Sequence, residues 1–125
     1  MSYEIIWKPR GVVKRFFDHV TSHELVQSIV EIEQDARFDT LRYCINDFLG
    51  ITAISSSSRD VEDISVMDKG ASLSNPRIKI AVVTTSPEVI AWTNEYANSA
   101  LNSYTTKLIS SLGEAESWLA SEHSR

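Results

Sequence analysis

Cysteine occurs once in this chain of 125 residues, at Cys44, so no intrachain disulfide can form. A lone thiol in an apolar stretch points to a reducing, cytoplasmic setting. Zinc is excluded on related grounds, because one Cys and the scattered His19, His23 and His123 offer no ligand spacing. Long apolar runs are missing too. The most hydrophobic stretch, residues 78–83, is interrupted by Lys79 and falls far short of a membrane span. The opening Met1-Ser2-Tyr3-Glu4-Ile5-Ile6-Trp7-Lys8 has an early acid and a short apolar run where a secretion signal needs a long one. Positive charge is in deficit: 12 Lys and Arg against 17 Asp and Glu give a formal charge of -5, which excludes bulk affinity for nucleic acid. Glycine is scarce, with 4 residues, and none forms a Gly-x-Ser-x-Gly nucleophile elbow or a phosphate-cradling loop.

What is present is the balance of a globular chain, 42% hydrophobic and 23% charged, of a length that makes one domain spanning 1–125. Four helix starts are written in caps. Thr21-Ser22-His23-Glu24 has the form of a capping box, with Leu25, Ile29, Ile32 and Ala36 following at helical spacing. Ser57 and Ser58 precede Asp60, Glu62 and Asp63, and Ile64, Met67 and Ala71 mark one face behind them. Ser86-Pro87-Glu88 sets a cap, a first-turn proline and an acid ahead of Val89, Trp92, Tyr96 and Ala100. Ser111-Leu112-Gly113-Glu114 is a second capping box, leading into Ala115, Trp118 and Leu119.

Strands fill the intervals. Residues 3–8 and 12–20 flank Pro9-Arg10-Gly11, a turn that predicts an antiparallel hairpin. Residues 41–48, 78–85 and 104–110 follow. The core of the second of these, Ile80-Ala81-Val82-Val83, lacks polar alternation, as a strand covered on both faces should. The order β-β-α-β-α-β-α-β-α predicts a single α/β domain: a mixed five-stranded sheet with an N-terminal hairpin, then right-handed crossovers, and about four helices.

Chemistry-bearing residues are few. The run Ser55, Ser56, Ser57 and Ser58 reads as a polar loop feeding a helix cap, and hydroxyls there also suit phosphate. Asn46 and Asp47 are expected at a strand end, where α/β sheets gather ligands. With Thr84, Thr85 and Ser86 at the same edge they would form a polar rim over a floor that includes Phe48. Lys8, Arg10, Lys14 and Arg15 form a basic cluster that would guard a sheet edge or meet an acidic partner. Cys44 reads as inert packing, and His19 and His23 as surface or capping residues. Asp60, Glu62, Asp63 and Asp68 read as a solvated helix face, and Trp7, Trp92 and Trp118 as core or interface. The third helix, with Ile90, Ala97 and Leu101 beside its main stripe, is apolar on more than one face, which predicts a homodimer or higher oligomer.

Several local sequences together resemble a known family. They are Gly11-Val12-Val13, Asp18-His19-Val20-Thr21, Asp35-x-Arg37-Phe38-Asp39, Leu41-Arg42-Tyr43-x-Ile45-Asn46-Asp47-Phe48, Asp68-Lys69, Asn75-Pro76 and Ile78-Lys79-Ile80-Ala81. The chain looks like the STAS-type, SpoIIAA-like domains, small stand-alone bacterial proteins grouped with the STAS and CRAL-TRIO-like lipid-binding folds. That resemblance implies a compact β-α sandwich with an antiparallel edge and no cofactor. It also implies a phosphorylatable serine in the loop between the third strand and second helix, here residues 50–58, and from the lipid-binding relatives an apolar pocket. The expected function is a non-enzymatic regulatory module. It would bind a protein partner, or a small apolar or anionic ligand, at the C-terminal ends of the strands through Asn46, Asp47, Phe48, Ser57, Ser58, Thr84 and Thr85. The alternatives are a phospho-switch antagonist of an anti-sigma factor, using Ser55 to Ser58, and a small hydrolase or transferase using Asp47 with Ser57 or Ser58. No catalytic residue, metal or cofactor is assigned.

Overall fold

The structure, a computed structural model, describes residues 2–55, 58–98 and 104–123. Strands β1 (Tyr3–Lys8) and β2 (Gly11–Thr21) form the hairpin, followed by helix α1 (Ser22–Gln34) and a short 3-10 helix (Ala36–Thr40). Then come β3 (Tyr43–Ser55), α2 (Ser58–Ser72), β4 (Lys79–Val83), α3 (Pro87–Ala97), β5 (Thr105–Ile109) and α4 (Leu112–His123). The sheet order is β1-β2-β3-β4-β5, antiparallel only between β1 and β2. The predicted class and element order are therefore those observed.

The expected caps form. Thr21 and Glu24 make a reciprocal capping box on α1, and Ser86 caps α3 by accepting from the Val89 amide. Glu24 does more than cap: its second oxygen takes the backbone amide and hydroxyl of Ser2 at 2.8 and 2.6 Å, tying the N-terminus to α1. On α4 the Glu114 amide donates to Ser111, while the Glu114 carboxylate accepts from Ser110 rather than closing the box on Ser111. In the hairpin, Pro9 and a positive φ of 62° at Arg10 fit a type II turn.

Three boundaries differ from expectation. Helix α1 stops at Gln34, because the Asp35 side chain accepts the Arg37 amide and starts the 3-10 turn in which Ala36 lies. The second crossover strand is shorter than 78–85, since Thr84 turns out of the sheet and its Oγ1 accepts from the Ser86 amide at 3.0 Å. The largest difference is β3, which does not stop at Phe48 but runs to Ser55, so most of the expected 50–58 loop is strand.

A chain that adds strands in order by right-handed crossovers lays every crossover helix on one face of the sheet. Leu25 and Ile32 of α1, Val61 and Ile64 of α2, and Val89 and Tyr96 of α3 accordingly share one core with Val12, Phe16, Cys44, Phe48, Ile80 and Val82. Helix α4 follows the last strand and covers the other face, where Ala115 and Leu119 meet Ile45, Ala81, Val83 and Ile109. Buried Asn75 closes the bottom of the first layer: its amide donates to Phe38 O and Leu41 O at 2.8 and 2.9 Å. Beside α3's buried stripe, Ile90 and Ala97 are half-buried, while Ala100 and Leu101 lie outside the described residues.

Gly11 is required by a close approach. A Cβ there would sit 2.0 Å from the ring of Tyr43, its parallel partner on β3. Gly70 on α2 has open space around it. Gly11→Ala should therefore destabilise the fold by about 1–3 kcal/mol through overpacking. Gly70→Ala should stabilise it by about 0.5–1 kcal/mol through chain entropy. Urea midpoints of the two variants test this, and equal midpoints would contradict it.

Candidate functional site

The unequal strand lengths shape one edge of the molecule. β4 ends at Val83, opposite Asp47 of β3, whereas β2 keeps pairing with β3 as far as Thr21 and Ser55. From Phe48 onward β3 has a strand neighbour on one side only among the described residues, so a two-stranded ribbon projects beyond the sheet. Two irregularities in β2, after Arg15 and at Asp18 with φ 56°, bend this ribbon. Its outer segment is open: Leu49, Gly50, Thr52, Ala53 and Ser55 are exposed, Leu49 at 45%. Its root is fixed by aromatic packing. Phe48 stacks on Phe16 at 4.6 Å with the rings 5° from parallel, and meets Trp92 edge-on at 6.4 Å.

The expected rim is not assembled. Asn46 and Asp47 lie mid-strand, because β3 continues past them, and alternation sends them to opposite faces. Asn46 is half-buried on the α1–α3 face and accepts a weak bond from the Cys44 thiol. Asp47 is buried on the α4 face and accepts the Leu49 amide at 2.9 Å, a local Asx contact. Thr84 is buried and held in the turn that caps α3, Thr85 is exposed, and Phe48 belongs to the core. Ser57 lies outside the described residues, as does the Ser58 side chain, although Ser58 opens α2. One contact escaped the sequence reading: His19 Nε2 and Ser55 Oγ lie 2.6 Å apart on the exposed ribbon. Parallel register sets Thr21 opposite Ser55, which brings His19 into reach.

Two residues assigned to the surface point inward. Lys14 leaves the basic cluster, because it shares the face of Val12 and Phe16 and is 7% exposed. Its ammonium donates to Ser28 Oγ at 3.3 Å. Arg15, one residue on, faces out to Glu4 at 3.0 Å, with Lys8 and Arg10 exposed as expected. Asp68 leaves the solvated face of α2, because it follows Val61 and Ile64 at helical spacing, and it accepts the Tyr96 hydroxyl at 2.5 Å. Burial raises the Asp68 carboxyl and pushes Glu33 up to about 7, with the Asp68 charge adding to the rise at Glu33. Burial likewise pushes the Cys44 thiol up, away from the thiolate a nucleophile needs. Among the described residues no group of His, Cys, Asp and Glu is placed to hold a metal ion, and no helix is long and apolar enough to cross a membrane.

This topology is the SpoIIAA-like fold. The chain is similar to the structure of the anti-sigma factor antagonist SpoIIAA in its unphosphorylated form, with TM-score 0.63 and 11% identity over 94% of this chain and 97% of that one. It is similar also to the Bacillus cell fate determinant SpoIIAA in the phosphorylated form, with TM-score 0.61 and 14% identity over 94% and 98% of the two chains. No family model and no curated protein matches the sequence. The likeness is one of fold, carried by very different side chains.

The raised carboxyls fix a sign for pH dependence. A folded-state value of about 7 for Glu33, above its ordinary 4.5, means that the folded protein holds a proton the unfolded chain releases. The resulting stability is complete below the ordinary value and is lost as pH rises through about 7, and Asp68 adds in the same direction. Glu24, drawn down to about 2 by its Ser2 bonds, acts at lower pH and with the opposite sign. Glu33→Gln should therefore flatten the fall in urea midpoint between pH 5 and 8 and stabilise the protein at pH 8. A slope identical to that of the parent chain would contradict this.

Proposed function

We propose that this chain is a non-enzymatic regulatory module that binds a protein partner along the open edge of β3. The observation that carries the reading is the ribbon itself, a strand with Leu49, Gly50, Thr52, Ala53 and Ser55 exposed and with no strand neighbour on its outer side among the described residues. An unpaired edge of this kind is the template on which an extended segment of another chain adds as a strand, with main-chain bonds giving affinity and alternate side chains specificity. The position agrees with the tendency of parallel sheets to bind beyond the carboxyl ends of their strands. The likeness to a fold whose solved examples include an anti-sigma factor antagonist supports a partner-binding role over a catalytic one.

Catalysis has weaker support. The His19–Ser55 pair is exposed, and no carboxylate is hydrogen-bonded to that imidazole among the described residues. A nucleophile and base also need an orienting group and a site that excludes water.

A photo-crosslinking residue at Thr52 should capture a partner protein in the host cell, while the same residue at Glu116 on α4 should not. With that partner purified, Leu49→Asp should weaken binding at least tenfold, about 1.4 kcal/mol, without lowering thermal stability. Capture from Glu116 alone, or unchanged affinity in Leu49→Asp, would contradict the reading.

A further inference from the structure

At the end of the sheet opposite the open edge of β3, where the parallel strands begin, three adjoining loops each carry an arginine. Arg10 sits in the hairpin turn, Arg42 stands immediately before β3, and Arg77 stands two residues before β4. Short bonds staple these loops to one another. The Arg42 amide donates to Arg10 O at 2.7 Å, and the Lys79 amide donates to Arg42 O at 3.0 Å. Buried Asn75 joins the second pair of loops: its Nδ2 donates to Leu41 O at 2.9 Å, while its Oδ1 accepts the Arg77 amide at 3.1 Å. Three guanidinium side chains therefore start from neighbouring backbone positions that are held fixed.

No carboxylate answers them. Among the described residues no Asp or Glu oxygen lies within 4.0 Å of Arg10, Arg42 or Arg77. Asp35, on the loop that leads to Arg42, is taken by Arg37 at 2.9 Å, and Arg37 in turn lies over the Trp7 ring, 3.9 Å from its centre. Arg42 is half-buried, and its Nη1 donates to Leu41 O at 2.9 Å. Burial weakens its hold on the proton, and the charges of Arg10 and Arg77 weaken it further. A chain with 17 acids and 12 cations has no need to crowd like charges, since cations dispersed among the acids would have the lower energy. Ordinary surface duties do not account for the cluster. Arg42 and Arg77 precede interior strands and guard no sheet edge, and the last turn of α1 contains no basic residue to compensate its dipole.

We propose that Arg10, Arg42 and Arg77 form a binding site for a phosphoryl group, the monoester dianion of a small soluble phosphate or of a lipid headgroup. The planar fork of a guanidinium matches phosphate oxygens, and three such cations match a dianion better than the single charge of a carboxylate. Arg10 and Arg77 are exposed, so the site grips the phosphoryl group alone and leaves the rest of the ligand outside, with no enclosed cavity required. The site lies at the far end of the sheet from the β3 ribbon and does not depend on partner binding there.

The test is NMR titration of the full chain with methyl phosphate at about pH 7.5, where a phosphate monoester is largely a dianion, against sodium chloride at matched ionic strength. Methyl phosphate should bind at millimolar concentration or below and shift the side-chain Nε–H signals of the three arginines, and chloride should not. Arg77→Gln, whose side chain makes no hydrogen bond among the described residues, should be at least as stable as the parent and should weaken binding about tenfold. Arg15→Gln, which removes an arginine already paired with Glu4, should leave binding unchanged. Vesicles of phosphatidylcholine with and without phosphatidic acid separate the two sources. Sedimentation with the phosphatidic acid vesicles alone, lost in Arg77→Gln, assigns the group to a lipid headgroup; methyl phosphate binding without sedimentation assigns it to a soluble ester. The proposal is overturned if methyl phosphate does no more than chloride, if Arg77→Gln binds it as the parent does, or if Arg15→Gln weakens binding as much as Arg77→Gln.

Discussion

The mismatch in length between β3 and β4 is the constraint on which the rest of the molecule turns. β4 has only five residues because the chain turns at Thr84, whose Oγ1 accepts the amide of Ser86, the residue that caps α3, while β2 and β3 pair for several residues more. That difference leaves one side of β3 without a strand neighbour, and the exposed ribbon follows from it. The Phe16–Phe48–Trp92 stack sits at the level where β4 gives out, so the ribbon projects from a well-packed root. Edges of this sort are usually blunted by charge, proline or a covering helix. Leu49 to Ser55 carries none of the first two, and in a sequence otherwise rich in acids that bareness favours a surface meant to be covered.

The same sheet separates two chemistries. Adding strands in chain order puts α1, α2 and α3 on one face, which therefore becomes a thick layer with room for a cavity and for buried polar groups. Helix α4 covers the other face with Ala115, Leu119 and the half-buried Trp118. Alternation along β2 and β3 then decides which side chain meets which chemistry: Lys14 and Asn46 go to the thick layer, Arg15 and Asp47 to the other side. A basic pair or an amide–acid pair that is adjacent in sequence is thus split by the pleat.

Much of the fold was legible because its punctuation is local. The Thr21 capping box, the Ser86-Pro87 start and the Pro9-Arg10 turn each satisfy backbone groups within a few residues, and each appears where it was expected. The end of β3 was not legible, since Gly50 and Ser55 look like loop residues and pairing with β2 holds them extended. The inward turn of Lys14 and Asp68 could have been read. Lys14 lies two residues from Val12 and from Phe16, and Asp68 lies four from Ile64, so strict periodicity places both on buried faces. Grouping charges by sequence neighbourhood concealed it. The His19–Ser55 contact depends on register across parallel strands and had no local signal.

Amide hydrogen exchange of the free protein reads the open edge of β3 residue by residue. Along Tyr43–Ser55, amides up to Asp47 should be uniformly protected between β2 and β4, whereas beyond Leu49, whose amide Asp47 holds, every second amide, directed away from β2, should exchange quickly. Uniform protection through Ser55 would mean that the edge is already covered within the chain, and would contradict the account.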